Sequence, residues 1–425
     1  MPSTASFPLP ATRSPRRAAS TRRFCGTRRF REEGGSLNIV FTCSEYPPGP
    51  HGGIGTLIQL FARNLVRAGH GVRVVGIYPG DYPAPDREVD EGVDVYRFRE
   101  ATGRFSWVPA RIRLFRLLRR WSRGGEIDLI EVPDYGGPAA GWPSLPVPVV
   151  ARLSGSGSFF AAEMGRSLTR SYYVELASLR RADYWCSESR YMAEKTRELY
   201  KMSTPPDAIL YNPVTLPPAG DEKARSAVRV VFAGTLTVKK GIVSLLAAWP
   251  KVLAGFPAAE LHIWGKDGRT EDGGSMRARL EADIPPEWAS TVHFHGHIAL
   301  DDLLAQFHTA RLAVLPSFAE GFALTPLHAM AAGCPTVYTT RGSGPELIQE
   351  GKTGLLVDPA SPDEISGAIL RLLLNGDLAA RLGRAGRRHI AENFSLDTLI
   401  QKNEAFYDEC LRRFDARSAS RAVAS

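Results

Sequence analysis

The sequence predicts an α/β protein built as two Rossmann-like, doubly wound parallel-sheet domains facing across a cleft. Three observations carry this expectation. Strand and helix patterns alternate along the chain, the alternation stops and restarts near the middle, and Gly- and Pro-containing loops follow the carboxyl ends of apolar runs. A length of 425 residues is, as a prior, enough for two or three domains. With 44% hydrophobic and 23% charged residues the composition is that of an ordinary globular chain, and the 40 glycines follow no three-residue period, so wholesale disorder and collagen are excluded. No apolar run approaches the ~20 residues of a membrane-spanning helix.

The elements follow in order. Leu37–Thr42 reads as a buried strand, then a Pro/Gly loop from Pro47 to Gly53, a helix from about Ile54 to Ala68 stopped at Gly69, and a strand from Val72 to Ile77. Ile127–Val132 and Val147–Leu153 are two further strands, each feeding a Gly-containing loop. The stretch from Asn212 to Ala227 holds Pro213, Pro217, Pro218 and Gly220 with little periodicity and reads as a linker. Beyond it come strand candidates at Val228–Phe232, Leu261–Trp264, Val292–His295, Leu312–Leu315, Thr336–Thr339 and Leu355–Val357. The expected organisation is a basic, disordered extension at residues 1–35, a first Rossmann-like domain at 36–212, a linker at 213–227 and a second Rossmann-like domain at 228–395. A helix at 396–413 returns to the first domain, and a disordered tail occupies 414–425.

The net charge of +8 is unevenly placed. Residues 1–35 hold eight arginines against Glu32 and Glu33, which leaves +2 for everything else and removes the electrostatic case for a nucleic-acid-binding domain. Five scattered cysteines, never in CxxC spacing, suggest neither a disulfide framework nor a zinc site and fit a reducing cytoplasm.

Two loops carry chemistry. Leu315–Met330 puts Glu320-Gly321 between a strand end and a helix start, where backbone N–H groups can hold a phosphate and the carboxylate can accept sugar hydroxyls. Val231–Ile242 places Lys239 and Lys240 before another helix start. A cation beside amide donors suits the charge that grows on a departing diphosphate. The glycines of Pro47–Gly55 permit close approach to a ligand. Ordinary strand-to-helix turns and a solvated lysine pair are the plainer readings of each loop taken alone.

Taken together the pieces resemble the retaining, metal-independent glycosyltransferases of family 4, which have the GT-B fold. The resemblance runs through Val231-Phe-Ala-Gly234, Lys240-Gly241, Leu315-Pro-Ser317, Glu320-Gly-Phe322, His328–Gly333, Gly342–Ile348 and Glu350–Pro359. In the first half it runs through Gly52–Ile54, Gly69–Gly71 and Glu131–Asp134. It implies transfer of a sugar from a nucleoside diphosphate sugar to a glycan, lipid-linked or small-molecule acceptor, with retained anomeric configuration and no cofactor. Lys240 matches the phosphate-binding lysine and Glu320 the donor-sugar acid, the two expected catalytic residues. Gly52, Gly53, Gly321, Phe322, Ala323 and Leu324 line the donor, and Asp134 and Ser154 the acceptor side.

The chain departs from the family pattern at three of these places: Thr235 stands for a phosphate-binding arginine, His328 for a second glutamate and Ser154 for a histidine. These departures leave a second expectation, a catalytically silent nucleotide-sugar-binding subunit. His293, His295 and His297 alternate as metal ligands could on a strand, but core or rim histidines are the expectation and no metal is assigned. Residues 104–123 combine an apolar stripe (Ile112, Phe115, Leu118, Trp121) with six surrounding arginines, a pattern for peripheral contact with an anionic membrane or for a domain helix packed inward. The expected location is cytoplasmic, with no nucleic-acid partner.

Overall fold

The computed structural model describes residues 35–100, 107–220 and 224–424; the arginine-rich residues 1–34 and residues 104–106 of the expected basic helix lie outside them. The first half forms a sheet of eight strands: β1 (Asn38–Thr42), β2 (Gly71–Tyr78), β3 (Arg87–Asp90), β4 (Val93–Arg99), β5 (Leu129–Pro133), β6 (Val149–Leu153), β7 (Tyr184–Ser187) and β8 (Ala208–Ile209). Their order is β3-β4-β2-β1-β5-β6-β7-β8, parallel throughout except for the antiparallel edge pair β3/β4. Helices α1 (Gly53–Arg67), α2 (Trp107–Arg123), α3 (Gly157–Glu163), α4 (Ser171–Arg181) and α5 (Arg190–Tyr200) connect them.

The second half forms a parallel sheet of six strands: β9 (Arg229–Ala233), β10 (Glu260–Trp264), β11 (Val292–Gly296), β12 (Leu312–Val314), β13 (Thr336–Thr339) and β14 (Leu355–Val357), in the order β11-β10-β9-β12-β13-β14. Its helices are α6 (Ile242–Gly255), α7 (Met276–Ala282), α8 (Leu300–Thr309), α9 (Leu324–Ala331), α10 (Gly344–Leu347), α11 (Pro362–Leu374) and α12 (Gly376–Asn393). Both sheets are covered on both faces, which is why their strands read as continuous apolar runs. In β1, Ile39 and Phe41 enter one core and Val40 the other; in β9, Val230 and Phe232 oppose Val231 and Ala233. The strand order reverses between β1 and β5 and between β9 and β12, so the crevices outside those carboxyl ends are where this architecture binds ligands.

The chain passes between the halves twice, and the two passages are hydrogen-bonded to each other. The Val214 amide donates to the Phe394 carbonyl (3.0 Å) and the Leu396 amide to the Val214 carbonyl (3.1 Å). The last helix, α13 (Leu396–Ala424), then lies on the first half, where Ile400, Phe406, Tyr407 and Cys410 enter the core with β1 and α1. A buried polar network fixes it. Arg152 of β6 donates to both carboxylate oxygens of Glu131 on β5 (2.7 and 3.0 Å) and to Asn403 of α13 (2.6 Å), and Tyr407 donates to Glu131 (2.7 Å).

One expectation needs correction, and α2 takes the inward-packed of the two readings of its stretch. Residues 414–424 continue the helix instead of forming a disordered tail. Phe414 packs against the core of the first half, Arg413 pairs with Asp207 at 2.7 Å, and Arg417 lies 4.7 Å from the Tyr184 ring while donating to its hydroxyl. The apolar stripe of α2 faces inward: Leu114, Leu118 and Trp121 are core residues, and of the expected stripe only Ile112 is largely exposed, at 45%. The alternation gives no sign of β3, β7 and β8, which at four, four and two residues are too short to show a period.

Removing one member of a buried ion pair leaves the other charge uncompensated, at a cost of about 3–5 kcal/mol. Arg152→Ala therefore lowers the unfolding free energy of the first half by that amount, measured by urea titration of circular dichroism; a change below about 1 kcal/mol would remove the network from its docking role.

Candidate active site

The side expected to hold the donor is built where β9 and β12 end. After β9 the chain makes a single 3₁₀ turn, Val238–Lys240, and Gly241 begins α6. Gly241 has φ +74°, and a Cβ there would stand 1.9 Å from the Pro316 carbonyl oxygen, so only glycine lets this turn lie against the end of β12. The contact is sealed by the Phe318 amide donating to the Lys239 carbonyl (2.7 Å). It sets Lys240 Nζ in an ion pair with Glu320 Oε1, the lysine side chain 24% exposed and the carboxylate 8%. The second lysine of the sequence pattern parts from it: Lys239 Nζ lies 3.9 Å from the ring centroid of Phe160, on α3 of the other half.

The loop from Glu320 to Leu324 is held from both halves. Gly321 faces Met192 of α5 so closely that a Cβ would come within 2.0 Å of its methyl, and its carbonyl accepts from Ser189 Oγ (3.0 Å). The Phe322 carbonyl accepts from Asn212 Nδ2 (2.8 Å), and the Phe322 ring packs 4.8 Å from Tyr211 and 5.5 Å from Phe394, beside the two passages between the halves. Ala323 is the N-cap of α9 and offers no side-chain bond to the helix end, so the amides that follow depend on other acceptors. His328 lies one turn further along α9. Burial pushes its pKa down to about 4, which keeps it neutral at physiological pH, and among the described residues its Nδ1 has no hydrogen-bond partner. Thr235 is exposed just past β9.

Across the cleft, Gly52 and Gly53 are exposed at the start of α1. The Gly52 amide already donates to Glu45 (3.2 Å), whereas nothing stands within 4 Å of a Cβ built on Gly53, so Gly53 is the open point of this loop. Lys266, just past β10, reaches the His51 carbonyl of this loop at 3.4 Å and so adds a cation at the cleft. The sequence reading missed it because it sits in no motif.

On the side expected to face the acceptor, three neighbouring strand ends present polar groups: Asp134 after β5, Ser154 after β6 and Glu188 after β7. The Ser154 amide donates to Asp134 Oδ1 (3.0 Å), and its hydroxyl bonds the Glu188 side chain. Glu188 also accepts from Asn212 Nδ2 (2.9 Å), the amide that holds Phe322. Glu188 is the second residue the sequence reading missed, because the strand leading to it is four residues long. Burial pushes both carboxyl groups up to about 7. Glu346, from α10 of the other half, closes the arrangement by accepting from the first amides of α5, Arg190 (2.9 Å) and Tyr191 (2.8 Å), and from the Tyr211 hydroxyl (3.0 Å). Of the alternating histidines, His295 stacks with His262 and Trp264, His262 Nδ1 and His295 Nε2 being 3.0 Å apart, and the His293 ring lies 4.7 Å from that of His262.

The raised carboxyl pKa values have a stability consequence. Between the ordinary carboxyl range and about pH 7 the folded state binds more protons at Asp134 and Glu188 than the unfolded chain, so their contribution to stability falls as pH rises through that window. Asp134→Asn removes one of the two groups. The decline in melting temperature from pH 5 to pH 8 should be shallower in the variant than in the wild type, and equal declines would contradict the assignment.

The family model described as "Glycosyl transferases group 1" matches residues 227–375, and that described as "Glycosyl transferase 4-like domain" matches residues 52–215. The chain is 26% identical over 402 residues to a glycogen synthase of Mycobacterium tuberculosis, covering 87% of this chain and 94% of that one. It is 28% identical to the same organism's GDP-mannose-dependent alpha-(1-6)-phosphatidylinositol monomannoside mannosyltransferase, covering 86% and 96%. Among solved structures it is similar in fold to sucrose-phosphate synthase from Thermosynechococcus elongatus (TM-score 0.74, 20% identity, 89% of this chain and 100% of that one). It is also similar to Anabaena HepE in complex with UDP (TM-score 0.67, 17% identity, 88% and 100%). The chain belongs to the family-4 type of glycosyltransferases, enzymes of GT-B fold that use nucleotide-sugar donors.

Proposed function

We propose that this enzyme binds a nucleoside diphosphate sugar on its second half and transfers the sugar, with retained anomeric configuration, to a glycan, lipid-linked or small-molecule acceptor on its first half. The observation that carries the reading is the Lys240–Glu320 ion pair, at the strand ends where the sheet order reverses and beside the side-chain-uncapped start of α9. Lys240 and the amides of Phe322, Ala323 and Leu324 offset the charge that grows on the diphosphate as the bond to C1 breaks. Glu320, released from the lysine, accepts donor-sugar hydroxyls. Neutral His328 makes a single ribose hydrogen bond and Thr235 a single phosphate contact. Gly52 and Gly53 approach the donor from across the cleft, and Asp134 and Ser154 face the acceptor. In this reading charge neutralisation falls to protein groups, with no metal cofactor.

Four described cysteines, Cys43, Cys186, Cys334 and Cys410, are buried free thiols, which supports the cytoplasmic placement. Peripheral contact of residues 104–123 with an anionic membrane remains part of the reading only through exposed arginines of α2, since the apolar stripe is in the core.

The test is nucleotide release from UDP-, GDP- and ADP-sugars by the purified protein. One donor should release nucleotide, and Lys240→Ala and Glu320→Ala should each lower turnover at least ~100-fold with folding intact. Near-normal turnover in both variants would overturn the site, and a nucleotide-induced thermal shift without turnover would restore the silent-subunit reading.

A further inference from the structure

Away from the cleft, the outer edge of the first sheet carries an open groove of about 520 Å³ between α2 and the β3/β4 pair. Tyr96 and Phe98, alternate residues of β4, form its floor, and Arg113, Arg116 and Arg120 of α2 and Arg87 of β3 form its walls. Arg87 is opposite Tyr96 in register and its guanidinium lies 5.2 Å from that ring. The three α2 arginines follow i, i+3, i+7 spacing, so they share one helix face and span about 10 Å along it.

What sets these arginines apart is the lack of acids. Elsewhere on this edge arginine is paired with carboxylate: Arg63 with Asp90 (2.6 Å), Arg67 with Glu91 (2.7 Å) and Arg99 with Asp86 (2.6 Å). Arg97, beneath the groove, is engaged by Glu88 and by the Pro47 and Pro85 carbonyls. Among the described residues, the guanidinium groups of Arg116 and Arg120 have no ion pair or hydrogen bond, and that of Arg113 reaches only the Arg99 carbonyl, at 3.3 Å. The carboxylate lining the groove, Asp86, is already held by Arg99. Converging like charges repel, and an anion in the groove relieves that repulsion. The guanidinium fork matches phosphate oxygens, and a row about 10 Å long exceeds what one phosphate can bridge.

We propose that this groove is a second anion site, separate from the donor cleft, for a ligand carrying at least two phosphate groups, with its apolar or sugar portion against Tyr96 and Phe98. The groove lies on the far side of β2 from the β1/β5 crevice, so it suits a remote, phosphorylated part of an extended acceptor. Only that purpose rests on the transferase reading; the binding does not. The phosphates could belong to a soluble ester or to a lipid headgroup.

The test compares the full chain with Arg116→Gln/Arg120→Gln and with Arg119→Gln/Arg123→Gln. The second pair loses the same charge from exposed positions of the same helix outside the groove. With tripolyphosphate in a calorimetric titration, the groove pair should bind about tenfold more weakly and the outer pair within about twofold of wild type. Flotation with phosphatidylglycerol vesicles then separates the sources: groove-dependent flotation assigns the phosphates to a lipid, and its absence beside groove-dependent tripolyphosphate binding assigns them to a soluble ester. Equal weakening in both variants would leave only long-range charge, and no weakening in either would leave only the donor site; both results overturn the proposal. Donor hydrolysis without acceptor, expected to be unchanged in both variants, keeps failure of the groove distinct from failure of the transferase reading.

Discussion

The placement of the loop from Glu320 to Leu324 is the constraint on which the rest of the site depends. Its covalent neighbours belong to the second half, yet its backbone carbonyls are held by the first: Gly321 by Ser189, and Phe322 by Asn212. Met192 excludes any side chain at Gly321, and Tyr211 and Phe394 clamp Phe322 where the chain passes between the halves. A loop tied in this way cannot keep its position if the halves shift, so the geometry of the proposed donor loop and that of the cleft are one variable. Glu346 adds to the coupling from the opposite direction, capping α5 across the cleft, next to Ser189.

The electrostatics follow the same division. Lys240 and Glu320 neutralise each other, so neither stands as a lone charge in this part of the cleft. Asp134 and Glu188 have no cation among their hydrogen-bond partners, and burial holds both near neutrality. The three departures from the family pattern fall at contacts of different kinds. Thr235 removes a cation from an exposed strand end where Lys266 is nearby. His328 stays neutral, and Ser154 joins two carboxyl groups.

Much of the fold was legible because parallel strands buried on both faces leave continuous apolar runs, as at Ile39–Phe41 and Val230–Phe232. The loops proposed to hold the donor were legible for a related reason: glycine is required where chain meets chain, at Gly241 and Gly321. What escaped depends on contacts distant in sequence. Glu188 follows a strand too short to show a period, Lys266 lies in no motif, and helix α13 outlasts its apolar pattern because Arg413 and Arg417 find Asp207 and Tyr184 some 200 residues earlier. The α2 stripe shows the limit of periodicity, which finds an apolar face but does not say whether core or membrane covers it.

The most direct test of this account is the donor affinity of Asn212→Ala, a residue of the passage between the halves that carries no group assigned to the donor. Coupling through the Phe322 carbonyl predicts that the nucleoside diphosphate released by the active donor binds about fivefold or more weakly to the variant, the scale of one lost hydrogen bond. Affinity equal to that of the wild type, in a variant with unchanged melting temperature, would contradict the claim that the first half positions the donor loop.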